Sequence, residues 1–155
     1  TLKRAQTALD EAGLSDIIIC PETMGKINQL GTLDEVLELC GVDERFLPCV
    51  DFGHLNARTL GGIKGREEYA QILDLIEHKL GHDRLSRMHI HFSRIEFTEG
   101  GEKRHVTFAD RQWGPEYEPL MEELHRRGLS PSVICESDGT QAEDAAEMKR
   151  YYESL

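Results

Sequence analysis

The sequence predicts an α/β protein with parallel strands. Short apolar runs of strand character alternate with amphipathic helical segments, and four of those segments stop at a glycine. Strands this short and apolar, spaced by helices, pair in parallel through right-handed crossovers with helices covering the sheet.

The elements follow in order. Leu2, Ala5, Leu9 and Ala12 repeat at helical spacing over residues 2–12, and Gly13 ends the helix. "DIIIC" reads as the first buried strand. After the turn-rich "PETMGKINQLG", Thr32 and Glu35 form a capping box for a helix through Cys40, stopped by Gly41. "FLPCV" is the second strand, and "LGGIKG" at residues 60–65 is a flexible loop. A longer helix runs over residues 66–80 with Tyr69, Ile72, Leu73, Ile76 and Leu80 on one side and Gly81 as its end. "RMHIHF" is the third strand. A polar loop, "SRIEFTEGGEKRHVTFADRQWG", leads to a helix over residues 115–127 that stops at Gly128. "SVIC" is the fourth strand. Thr140 and Glu143 form a second capping box, opening a last helix. The order αβαβαβαβα fits either an open doubly wound sheet or part of an eightfold (β/α)8 barrel.

Composition narrows the function classes. At 155 residues, 39% hydrophobic and 30% charged, the chain is expected to form a single globular domain over residues 1–155. Its 29 acids against 18 Lys and Arg give a net charge of −11, which opposes a broadly basic nucleic-acid surface and suits metal or small-molecule chemistry. Cys20, Cys40, Cys49 and Cys135 are scattered with no CxxC, as expected of buried thiols in a reducing cytoplasm. No run is long enough to span a membrane, and no signal peptide pattern opens the chain. It begins "TLKRAQTALDEAG" without Met, as a processed or excised segment would.

Both architectures place chemistry at the carboxyl ends of the strands. Glu22 follows the first strand, Asp51 and His54 the second, His89 and His91 lie in the third, and Glu136 follows the fourth. Carboxylates crowded on one rim repel one another and resist desolvation, a conflict that a divalent cation removes. Imidazole and carboxylate without cysteine suit zinc or manganese. His105, in the polar loop, is placed to join them. Neither a GxGxxG nor a Walker-type GxxxxGK[ST] motif is present, which argues against nucleotide binding on an open sheet.

"PETMGKINQLGTLDEVLELC", "VDFGHLNAR", "MHIHF" followed by "KRHVTF", and "VICES" resemble the successive strand-end motifs of the endonuclease IV family, in the xylose isomerase-like barrel superfamily. The resemblance covers nearly the whole chain and implies a partial (β/α)8 TIM barrel, about four βα units forming the C-terminal half. It implies a cluster of two or three zinc ions, with manganese as an alternative, that cleaves DNA beside an abasic sugar. By that resemblance Glu22 bridges two metals, and Asp51, His89 and Glu136 ligate the second. His54 and His105 ligate a third, and Glu22 and Glu136 are the catalytic carboxylates. His91 is expected to be a neighbour rather than a ligand. In the family an acid stands two residues before the histidine matched by His105, where this chain has Lys103.

Arg94 and Arg104, with Lys103 and Arg111 nearby, are expected to contact a substrate phosphate. Trp113 or Tyr117 offers a stacking surface. The partners implied are DNA with an abasic site, or a phosphorylated or sugar substrate. The open half-barrel also needs either the missing N-terminal half or a second copy of the chain, since four strands leave two edges and an apolar face. A metal-dependent sugar isomerase or epimerase of the same superfamily is the alternative enzyme, and a non-catalytic fragment that keeps metal ligands is the third reading.

Overall fold

A computed structural model describes residues 1–155. Its elements run α1 (Leu2–Glu11), α2 (Leu33–Cys40), β1 (Cys49–Asp51), α3 (Phe52–Arg58), α4 (Arg66–Leu80), α5 (His82–Ser86), β2 (His89–Phe92), β3 (Arg94–Thr98), β4 (Gly101–Val106), α6 (Glu118–Arg126), β5 (Ser132–Cys135) and α7 (Gln141–Glu153). Strands β1, β2 and β5 form a parallel sheet with β2 in the centre. No helix is long and apolar enough to cross a membrane.

Pleating gives the sheet two faces of different chemistry. Val50, Ile90, Phe92 and Cys135 join Leu73 and Ile76 of α4, Leu120 and Leu124 of α6 and Met148 of α7 in one apolar core. The opposite, inner face carries Cys49 and Asp51 from β1, His89 and His91 from β2, and Ile134 from β5, which is 48% exposed. Parallel strands with helices on one face and polar groups on the other are the wall of a barrel seen from inside.

Three expectations are corrected. "DIIIC" is not a strand. Residues 19–23 run beside β1, with Cys49 N–H donating to the Pro21 carbonyl at 2.9 Å and Thr23 N–H to the Cys49 carbonyl at 3.1 Å. They form only an isolated bridge at Glu22, because Pro21 has no N–H to donate and the segment is an edge. Cys20 there is exposed, whereas Cys40, Cys49 and Cys135 are buried, and all four thiols are free.

The polar loop after β2 is an antiparallel hairpin, β3 and β4. Apolar Ile95 and Phe97 alternate with Arg94, Glu96 and Thr98, a strand pattern masked by its polar neighbours.

The capping box at Thr140 does not form. Its hydroxyl donates instead to Asp144 Oδ2 at 2.8 Å, and the same oxygen accepts the Phe108 N–H at 3.2 Å, tying α7 to the hairpin's exit. At α2 the Thr32–Glu35 box is complete. Sequence periodicity misses α3 and α5, which at seven and five residues are too short to establish one.

Glu123 couples α4 to α6. Although 2% exposed, it accepts from Arg126 at 2.8 Å, from Arg66 at 2.6 Å and from Arg127 at 3.2 Å. Arg126 first, then Arg66 and Arg127, hold its carboxyl down from 4.5 to about 2. A depressed carboxyl pKa stabilises the fold above the unfolded-state value and loses that contribution as pH falls through the folded value. Glu123→Gln is therefore expected to lower stability by about 1.5–3 kcal/mol at neutral pH. It should also flatten the decline between about pH 5 and pH 2, measured by urea unfolding across that range.

Candidate metal centre

Asp51 is the residue on which the rim turns. It ends β1 and caps α3, its Oδ1 accepting the His54 N–H at 2.7 Å. Its other oxygen, Oδ2, is buried with no hydrogen-bond partner, and the residue is 0% exposed. Burial pushes its carboxyl up to about 6, against the lowering effect of His54. A buried carboxylate oxygen that makes no hydrogen bond, with His54 Nδ1 3.4 Å away and already donating to Thr23, is costly in any protein that does not use it. It fits a cation.

The groups around it fit as well. Glu22, Asp51, His91 and Glu136 each bring one ligand-type atom within 4.8 Å of the others. His91 Nδ1 lies 3.0 Å from Glu22 Oε1 and 3.2 Å from Glu136 Oε1. A second group, His54, Glu102 and His105, meets the same criterion. His54 Nε2 is 3.6 Å from Glu102 Oε2, and His105 Nε2 is 3.8 Å from Glu102 Oε1. The two groups adjoin: Glu22 Oε1 is 3.6 Å from His54 Nδ1, and Glu136 Oε2 is 4.0 Å from His105 Nε2.

Second contacts select the nitrogens. His54 Nδ1 must donate to the Thr23 carbonyl at 2.9 Å, since that oxygen can only accept, which leaves Nε2 toward Glu102. Ser93 Oγ engages His105 Nδ1 at 2.8 Å, leaving its Nε2 toward the same carboxylate. Thr23 also holds the Asp51 backbone, its Oγ1 accepting the Asp51 N–H at 2.9 Å. Thr23 and Ser93 are fully buried, and no sequence pattern marks either one.

The structure thus gathers Glu22, Asp51, His54, His105 and Glu136 on the rim and separates His89 from them. Parallel register pairs Asp51 with His91 and Cys49 with His89. His89 consequently lies one layer below the carboxylates, and His91, nearer the carboxyl end of β2, reaches them. The expectation that His91 is a bystander fails on this placement. Register with β1, which sets Asp51 beside His91, was the deciding signal, and the sequence of β2 alone does not carry it.

Glu102 was also missed, and the reason is a β-bulge. Glu96 pairs with Arg104, but Phe97 pairs with Glu102, so Lys103 is an extra residue in β4. The extra residue reverses the alternation and brings Glu102 onto the face of His105 although three positions separate them. Lys103 and Arg104 both turn to the other face, where they hold Glu96 at 2.6 Å each.

Close backbone approach completes the second group. Glu102 N–H donates to the Gly25 carbonyl at 3.0 Å, and a Cβ at Gly25 would lie 2.6 Å from Glu102 Cβ and 3.0 Å from His54 Cδ2. Arg58, on the helix that carries His54, anchors the segment by donating to the carbonyls of Met24, Lys26, Ile27 and Gln29.

Of the two arginines expected to contact a substrate phosphate, Arg94 is committed elsewhere. Arg94 is 1% exposed, paired with Glu116 and bonded to the Trp113 carbonyl at 2.7 Å, so it fixes the loop before α6. Arg104 is exposed, with its Nε donating to Glu96 Oε2 at 2.6 Å. Tyr117 stacks on Phe108 within the core, and Trp113 packs edge-on against Phe97 at 5.1 Å.

Two predictions follow from this geometry. Asp51→Asn removes a buried charge, so the chelator-stripped variant is expected to melt at or above the unsubstituted protein. Zinc at about a hundred times its Kd should raise the melting temperature of the parent by about 5–10 °C, and calorimetry should show most of that rise missing in Asp51→Asn. Gly25→Ala drives a methyl between Glu102 and His54. It is expected to lose one bound ion relative to the parent by inductively coupled plasma mass spectrometry while retaining ions held near Asp51.

The comparisons agree with this architecture. The xylose isomerase-like TIM barrel family matches residues 1–155. An uncharacterized protein of Methanocaldococcus jannaschii, MJ0133, is 37% identical over 138 residues, which is 89% of this chain and 50% of that protein. The chain spans about half the length of the curated relative it matches. With a parallel wall, covering helices and acidic and imidazole groups at the carboxyl ends of its strands, the chain belongs to the xylose isomerase-like TIM barrel family.

Proposed function

We propose that the rim holds two or three divalent cations, zinc first and manganese second, and hydrolyses a phosphodiester in the manner of endonuclease IV at an abasic site in DNA. The observation that carries this reading is the second group, His54, Glu102 and His105, contiguous with the first through Glu22 and Glu136. A single cation would be held by the first group alone. Cations bound here supply Lewis acidity and lower the pKa of water enough for attack at neutral pH.

The chain's own residues have separable tasks. Glu136 reaches both groups and orients the attacking water. Glu22, between His91 and His54, sets the spacing of the two groups. Thr23 and Ser93 fix the ring nitrogens that His54 and His105 present. The reading includes a partner for the inner face, either the N-terminal half of a barrel in a longer chain or a second copy of this one.

A second reading, a one-metal sugar isomerase or epimerase, is favoured by the cations: Arg94 and Arg104 are committed to Glu116 and Glu96, and the net charge is −11. Nonspecific DNA affinity comes mainly from cations that neutralise phosphates. Metal-reconstituted protein should be assayed on a duplex with one synthetic abasic site and on a ketose panel. Strand cleavage is expected, with a loss of about 100-fold or more in Glu136→Gln. Ketose turnover without cleavage would replace the first reading with the second.

A further inference from the structure

Below the rim, the inner face of the sheet carries another group of ligand-type side chains. Cys49 and His89 are register partners on adjacent parallel strands, so both leave the sheet on the same face. His91, two residues along β2, shares that face. Cys49 Sγ and one ring nitrogen from each histidine lie within 4.8 Å of one another. The two rings meet edge to face at 5.0 Å.

Cys49 is not filling the hydrophobic core. The buried thiols of Cys40 and Cys135 belong to the apolar cluster, but Cys49, although 3% exposed, does not. Its side chain stands on the polar wall with the histidines. Sulfur with two imidazoles is a donor set for a soft or borderline d10 cation and is poorly matched to magnesium or manganese.

We propose that Cys49, His89 and His91 form a thiolate–imidazole metal site for zinc or a softer d10 cation such as cadmium, one layer beneath the rim and sharing His91 with it. Because His91 also faces Glu22 and Glu136, the lower site draws on a ring that the rim uses. Zinc in excess of the rim's capacity fills the lower site at the expense of His91's contacts above.

Cobalt(II) titration of the chelator-stripped full chain tests this, because a thiolate ligand gives a sulfur-to-cobalt charge-transfer band in the near ultraviolet that carboxylate and imidazole ligands do not. The band is expected in the parent protein and in Asp51→Asn, absent in Cys49→Ser, and displaced by cadmium. His89→Ala should weaken cobalt binding at this band at least tenfold, with far-ultraviolet circular dichroism confirming the fold of each variant. A parent protein without the band overturns the site, and so does a band that persists in Cys49→Ser, which would belong to another thiol. Failure of the rim reading is seen separately: total bound cobalt would then be unchanged in Asp51→Asn.

Discussion

One carboxylate does two things at the end of β1. Asp51 Oδ1 starts the helix that carries His54, while Oδ2 lies beside the other acids and imidazoles of the rim, buried and unbonded. The first role makes the second precise: a helix capped by Asp51 must begin there, so His54 falls one turn further on and meets the Thr23 carbonyl that sets its tautomer. Thr23 in turn grips the Asp51 backbone. Cap, tautomer and charge are therefore interlocked: the carboxyl that crowds the rim through Oδ2 is the one that caps α3 through Oδ1.

The class of the fold was legible because core-facing strands and helices announce themselves by apolar content and spacing. Val50, Ile90 and Phe92 read as strand interior, and Leu73 and Ile76 as a helix face, and each is found there. The carboxylates at the strand ends were legible for the same reason, since counting from an apolar run locates its end. Choosing between His89 and His91 required knowing how far each stands from that end, which depends on register with a neighbouring strand and not on β2 alone. The hairpin and Glu102 were illegible because their placement depends on a pairing between two polar segments.

Charge is unevenly committed over the molecule. Arg58 is absorbed by four carbonyls, Arg94 by a loop, Arg66, Arg126 and Arg127 by Glu123, and Lys103 and Arg104 by Glu96. These cations hold loops and helices in place around a negatively charged rim, and so leave the field there strongly attractive to small cations. The same arrangement makes the rim a poor docking face for a long polyanion unless cations come from elsewhere in the assembled barrel.

The bulge at Lys103 bears on how such a chain tolerates change in length. A single inserted residue in a strand ordinarily turns every following side chain to the wrong face. Here the bulge takes up the insertion locally: without Lys103, Glu102 would stand two positions before His105 and regular alternation would keep both on one face. The spacing of acid and histidine along the chain can thus drift by one while their spacing in space is kept. Relatives of this protein are then better aligned by the face a residue occupies than by its distance in sequence, and an acid that looks displaced by one position need not be lost.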